Sequence, residues 1–389
     1  MLIWWALIIP LIASGVLYLL FKHKLHTHEV LMLIGIPAFV IFIFYLVAST
    51  YNVQDTQYKS ELITKVRYYE SWETWVKKTC SYTTCSGSGK SRHCTTHYYD
   101  CSYCDYNSEY YVAVTVTNKE ISISKTQYHN LLKKWKAIPY FVELHRRIHY
   151  HGSCGKDGDM YEANWNLDPY TAQTDTWESS YNNRTQAALS AFNYPKITPM
   201  QAKQIGLYEY PTQYYNNYSQ PNILGFEQIY QNKALKDSIF ILYQYLNGVI
   251  GTKYKAHVFI LLFKDKDINI AFKQEAYWAN GNQNEVVICV GHGALGKIQW
   301  IKPFSWCENK RVLVDLREDL FELKYFNFIK AYPIIYKAIH DNFHYRDLDK
   351  DFSYLNIELS EKELISAYIL TIILTIILCY IFVTNNYEH

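Results

Sequence analysis

Three stretches of the chain contain no charged residue. Leu2 to Phe21 reads LIWWALIIPLIASGVLYLLF, Val30 to Ser49 reads VLMLIGIPAFVIFIFYLVAS, and Leu364 to Val383 reads LISAYILTIILTIILCYIFV. About 20 consecutive apolar residues cross a bilayer core as a helix. The pattern predicts three transmembrane helices: a hairpin over 1–50 and an anchor over 364–383. Pro10 and Pro37 are tolerated in such helices. A cleaved signal peptide needs a charged stretch ahead of its apolar run. Here Met1 leads directly into apolar residues, and a second span follows after a short loop.

That loop, Lys22 to Glu29, carries two lysines and three histidines, whereas Thr50 to Tyr58 has no Lys or Arg. Short basic loops stay cytoplasmic. The asymmetry predicts a cytoplasmic loop and an extracytoplasmic body over 51–360, in a periplasm, an extracellular space or a lumen. The spans themselves carry no charge, which argues against a transport pathway through this chain.

Between the spans the pattern changes. Gln57 to Val76 reads as a strand or short helix leaving the membrane. Tyr110 to Thr117 and Glu120 to Ser124 are alternating, β-branched segments around Asn118-Lys119, which predicts a hairpin. Lys125 to Lys136 has helical spacing and a basic face. Phe141 to Tyr150 is strand-like and runs into a loop, Gly152 to Gly158. Thr198-Pro199-Met200-Gln201 has the hydroxyl, proline and glutamine of a helix start. Tyr208 to Gln220 reads as a polar-aromatic loop packed on a surface.

From Leu235 the segments become regular. A helix is expected over Leu235–Val249, ending near Gly251. Buried strands are expected at Ala256–Phe263 and Glu285–Val290, because their apolar runs are continuous. A helix is expected between them over Asp267–Trp278. Gly291–Gly296 should be a turn, Lys297–Ile301 a third strand, and Asp315–Phe328 and Ile329–Phe343 helices. The glycine spacing of 291–296 fits a dinucleotide motif but lies between strands rather than at a strand-to-helix entry. The predicted architecture is an α+β extracytoplasmic body with a C-terminal α/β sandwich, plus three transmembrane helices. Its divisions are 1–50, a Cys- and Tyr-rich region 51–230, an α/β domain 231–345, a linker 346–363 and the final helix 364–383.

Composition sharpens this picture. Mean hydropathy is −0.19 although 49% of residues are hydrophobic, so the body outside the spans must be polar. It holds most of the 38 tyrosines. The net charge of +2 excludes a strong nucleic-acid-binding field; lipid, a protein partner or an envelope assembly is the expected partner. Asn183-Arg184-Thr185 and Asn217-Tyr218-Ser219 are sequons.

Two clusters carry candidate chemistry. Cys80, Cys85, Cys94, Cys101 and Cys104 fall close together, with Cys154 further on. In an extracytoplasmic body they read as a disulfide framework, with Cys154 as partner for the odd thiol. The alternative is a metal knuckle using His93, His97, Cys101 and Cys104. The second cluster is His145, His149, Asp157 and Asp159. Histidines and carboxylates at this density can act as acid and base or hold a divalent metal; the plainer reading is a polar strand face followed by an Asp-Gly turn. No cofactor is called for.

Several segments resemble a family of uncharacterised proteins of bacteria and tailed phages. They include the stretch from Thr79-Cys80 through Tyr99–Tyr103, then Ser108–Tyr111, His145-Arg146, Lys156–Asp159, Gly206–Pro211, Gln274–Trp278 and Gly281–Glu285. That family has no known activity; the match implies that the body is one evolved unit. Residues 235–345 followed by a membrane span are similar to the TPM domain of membrane-tethered bacterial proteins, some of them phosphatases. The acidic opening motif of that domain is absent before Leu235, so the similarity implies the fold more than the reaction. Together these readings give a non-catalytic extracytoplasmic structural or interaction protein. A membrane-tethered metal-dependent hydrolase and an accessory subunit of a large membrane complex are the alternatives.

Overall fold

A computed structural model describes residues 2–21, 26–87, 92–144, 154, 158–164, 174–188, 190–192, 197–211, 222–230 and 232–387. The chain begins with a 3-10 segment, Leu2–Leu7, that runs into helix α1 (Ile8–Leu20). Helix α2 (Thr27–Val53) follows and passes at the next residue into a long strand, β1 (Gln54–Tyr69). The region expected to be strand or short helix is therefore strand.

Next come β2 (Trp72–Val76), β3 (Thr79–Ser86), β4 (His93–Asp100), β5 (Tyr103–Asn107), β6 (Tyr110–Thr115) and β7 (Glu120–Ile123). The expected β6–β7 hairpin is present, with Asn118 in the left-handed region at its turn. Helix α3 (Lys125–Trp135) is capped by Ser124, with Gln127 completing a capping box. Three shorter strands follow: β8 (Tyr140–Val142), β9 (Met160–Asn164) and β10 (Thr174–Asn182). β8 ends well before Tyr150, where the strand was expected to run on; residues 145–150 lie outside the described residues.

β1 organises the first half of the body. Its outer part pairs with β6 on one side and β9 on the other, giving the order β7-β6-β1-β9-β8. Its part nearest α2 pairs with β10, Gln54 opposite Asn182 through Leu62 opposite Thr174. Alternation along β1 buries Ile63 with Tyr111, Ala113, Ile123, Tyr128, Leu131 and Ala163, so α3 packs on this sheet.

After two short helices, α4 (Arg184–Ala187) and α5 (Pro199–Ile205), the chain enters a second unit. It contains β11 (Ile223–Leu224), α6 (Lys233–Tyr254), β12 (His257–Lys264), α7 (Asn269–Tyr277), β13 (Glu285–His292), β14 (Ile298–Phe304), α8 (Arg311–Phe321) and α9 (Phe328–Asn342). β11, β12 and β13 are parallel, and β14 returns antiparallel to β13. The expected turn at 291–296 is thus a hairpin connection.

Side chains alternate across a strand, and both faces of this sheet are covered. Val258, Ile260, Leu262, Val286, Ile288 and Val290 meet helices α6, α8 and α9. Phe259, Leu261, Phe263, Val287 and Cys289 meet Ile270, Ala271 and Trp278 around α7, and Ala202 of α5. This explains the continuous apolar runs of β12 and β13, which are buried on both faces.

Three details differ from expectation. Helix α8 starts and ends earlier than Asp315–Phe328, because Val312, Leu316 and Leu320 form its buried stripe. Residues 197–211 and 222–224, ahead of the expected boundary at 231, supply β11 and part of one core. The segment 346–363 also packs: Leu348 and Phe352 are buried against Trp306, beside Phe192 and Tyr181.

Helix α10 (Glu361–Tyr387) closes the chain. Among the described residues, three helices are long and apolar enough to cross a membrane, and they pack on one another through Ile3, Ala6, Ile41 and Ala367 at one level and Leu33, Leu378 and Phe382 at another. Asn52 Nδ2, near the end of α2, donates to Glu363 Oε2, near the start of α10, at 3.0 Å. The body therefore joins both helices at the same end of the bundle.

Candidate functional site

β1 and β6 are antiparallel neighbours, and Tyr69 faces Tyr110 in the ladder. Between them, residues 70–87 and 92–109 form an excursion from one end of that hairpin. It consists of two successive ribbons, β2 with β5 and then β3 with β4. A strand rises about 3.3 Å per residue, so residues 72–86 reach at most about 50 Å.

The outer ribbon has no core. Every described residue of β4 is exposed, as are all of β3 except Cys80. A lone two-stranded ribbon is marginal in water, and here covalent links supply the order. Cys85 and Cys94 face each other across the ladder and are bonded, with Cα atoms 4.0 Å apart. Cys80 is joined to Cys101 at the ribbon's base, and Cys104 of β5 to Cys154. Chain-entropy arguments give such loops about 2.6, 3.3 and 4.1 kcal/mol respectively.

Alternation places Tyr82, Thr84, His97 and Tyr99 on one face of the outer ribbon. Tyr82 stacks on His97 with centroids 5.1 Å apart and meets Tyr99 at 6.1 Å. Thr84 Oγ1 and His97 Nε2 are 3.1 Å apart. Tyr98 stands on the opposite face and is 75% exposed; Tyr103 and Tyr106 of β5 are exposed as well. The result is a covalently braced arm carrying aromatic side chains on both faces.

Cys101 and Cys104 are each in a disulfide, so a ligand set of His93, His97, Cys101 and Cys104 loses both thiolates. Glu73, Cys104 and Cys154 lie close enough to share an ion, but the two sulfurs are bonded to each other. His145, His149 and Asp157 lie outside the described residues. Asp159 is described: its Oδ1 accepts from Leu144 N at 3.4 Å and its carbonyl accepts from Glu70 N at 2.9 Å. It holds the arm's base in place. Gly158 beside it has a φ of +64°, and a Cβ there would stand 2.6 Å from that of Trp72. A glycine is what this position requires.

A second polar cluster, invisible in the sequence, sits where β1 meets the α/β unit. Glu285 opens β13 and is fully buried. Its carboxylate accepts from Tyr210 Oη, from Asn282 N at 2.8 Å and from Asn282 Nδ2 at 2.9 Å. Burial nevertheless pushes its pKa up to about 7. Tyr181 Oη lies 3.0 Å from Asn282 Oδ1 and 2.8 Å from Asp55 Oδ2, which also accepts from Asn183 Nδ2 at 2.9 Å. Asn183, read as a sequon, is buried in this network, so the folded protein has no room for a glycan there; Asn217 lies outside the described residues. Next to it, burial holds His257 neutral, with a pKa lowered to about 3. Its Nδ1 is 3.1 Å from Ser60 Oγ.

The chain matches no protein-family model, no curated protein and no solved structure. The resemblances drawn from short segments therefore stand as proposals.

Proposed function

We propose that this is a membrane-anchored, extracytoplasmic and non-catalytic interaction protein whose braced aromatic arm docks a protein partner. The observation that carries this reading is the arm: three disulfides hold it, and its outer ribbon buries nothing of its own. Tyrosine offers a large amphipathic contact at small conformational cost and is enriched at interfaces. Bracing lowers the ordering entropy that a flexible ribbon would lose on docking.

The three apolar helices supply the anchor. Lys22 and Lys24 favour the cytoplasm for the hairpin loop. The body leaves the bundle at the opposite end, where an oxidising compartment would keep its disulfides. The α/β unit, TPM-like in its order of elements, serves as a platform that clamps β1.

A photo-crosslinking amino acid at Tyr98 or Tyr106, in native membranes, tests the reading. A discrete adduct from both positions is expected, and it should vanish when Cys85 and Cys94 are changed to Ser. An equal adduct from Leu295, exposed on the α/β unit, or none from the arm, would refute it.

A further inference from the structure

Five separate segments meet around a cavity of about 170 Å³ on the side of β1. β1 contributes Lys59, Ser60 and Glu61, the β6–β7 turn Lys119, and the end of α6 Gly251 and Lys255. Asn284 comes from the loop before β13, and Tyr345 follows α9. Three ammonium groups thus face a single carboxylate. Lys119 pairs with Glu61 Oε1 at 3.5 Å. Lys255 lies over the Tyr345 ring at 5.1 Å. Lys59 has no ion-pair partner among the described residues.

The charge does not balance. The C-terminus of α6 offers about half a negative charge, which leaves an excess of roughly one and a half positive charges. Burial, with Lys119 adding to it, lowers the pKa of Lys59, and burial raises that of Glu61. Burial is the largest cause of both shifts, so this side of the cavity is poorly solvated. The floor adds a polar group. Asn284 is buried and donates Nδ2 to Tyr58 O at 2.6 Å, while its Oδ1 has no partner among the described residues.

We infer that this cavity binds a phosphate-like oxyanion, held by Lys59, Lys119 and Lys255, with a protonated oxygen of the ion donating to Asn284 Oδ1. Hydrogen phosphate, or a phosphate monoester in its monoanionic form, has both the charge for the lysines and the donor for the amide; sulfate and chloride lack the donor. The volume suits a tetrahedral ion with a few waters of about 30 Å³ each and excludes a whole nucleotide. Bound there, the ion ties β1, the β6–β7 turn and the α/β unit together.

The same phosphate chemistry has two sources, free in solution or on a lipid headgroup. Lys59 lies six residues beyond α2, at most about 20 Å along an extended strand. That distance favours the free ion.

The test is thermal unfolding of the full chain in phosphatidylcholine nanodiscs, titrated with inorganic phosphate against sulfate and chloride at matched ionic strength. A saturable rise in Tm specific to phosphate is expected. Lys255→Gln, exposed at the mouth, and Lys59→Met should each weaken it at least about tenfold. A rise that appears without phosphate in discs of phosphatidic acid, with the same lysine dependence, would also support the site and assign it to headgroup phosphate. No rise in either arm would overturn the inference, as would a phosphate response equal to that of sulfate or unchanged in Lys255→Gln. Lys255→Gln keeps the test decisive if Lys59→Met fails to fold.

Discussion

Gly251 in α6 lies directly against the Ser60 carbonyl of β1; a Cβ on that glycine would fall 1.8 Å from the oxygen. This contact sets the distance between the α/β unit and the strand that leads from α2. Thr252 Oγ1 accepts from Leu62 N at 3.0 Å on one side of it. Asn284 Nδ2 donates to Tyr58 O on the other. One edge of β1 is paired with β10, and this end of the helix covers the other, so no open sheet edge is left there.

Gly251→Ala separates local from tertiary preference. Helix propensity favours alanine by about 1 kcal/mol. Overlap with a backbone carbonyl opposes it, and we expect a net loss of about 2 kcal/mol or more. Thermal unfolding of the full chain measures the difference, and a higher Tm would contradict the contact.

Non-reducing peptide mapping should recover Cys80 with Cys101, Cys85 with Cys94, and Cys104 with Cys154. Cys289 and Cys307, buried in the α/β unit, should resist thiol reagents until the protein unfolds. Removing Cys85 and Cys94 together should destabilise the outer ribbon by about 2.6 kcal/mol and open it to proteolysis, with the Tm of the α/β unit unchanged. A different connectivity would undo the arm.

Glu285 predicts a pH dependence. Its folded pKa, about 7, stands above its ordinary value of 4.5. The folded state therefore binds the proton more tightly than the unfolded state. That contribution is complete below pH 4.5 and is lost as pH rises to about 7, a decline of roughly 3 kcal/mol. In Glu285→Gln that decline should be absent, so stability between those limits should rise more with pH than in the wild type. An unchanged profile would show that the carboxylate is ionised throughout.

His257 acts in the opposite direction. Its folded pKa of about 3 lies below its ordinary 6.5. Its contribution is complete above pH 6.5 and is lost as pH falls towards 3. In His257→Gln that loss should be absent, so between pH 4.5 and 6.5 the decline set by Glu285 stands uncancelled and stability falls with rising pH. Tm measured from pH 4 to pH 8 in both variants separates the two.

Membrane orientation can be checked from outside. Impermeant biotinylation of intact cells should label Lys119 and Lys255 and spare Lys22 and Lys24. The reverse pattern would invert the assignment.

The apolar helices, the β6–β7 hairpin, the Ser124 and Thr198 caps and the two buried strands were legible because each depends on spacing a few residues long. Periodicity also marked α9 within a residue. It misplaced the ends of α6 and α8, because those ends are decided by what the helices touch. Gly251 reads as a helix terminator in sequence and is in fact a point of close approach.

Local pattern by itself determined that the chain has three apolar helices, a cysteine-rich exposed segment and a final α/β layer, since burial of a repeated face follows from side-chain alternation alone. Only the tertiary structure decided that residues 70–87 and 92–109 form a single arm between two paired strands. It alone turned Asn183 from a sequon into a buried hydrogen-bond partner, and gathered Lys59, Lys119, Lys255 and Asn284 around one cavity. These groups are up to 225 residues apart in sequence. Their meeting depends on β1 being held between two units at once, and no periodicity records that.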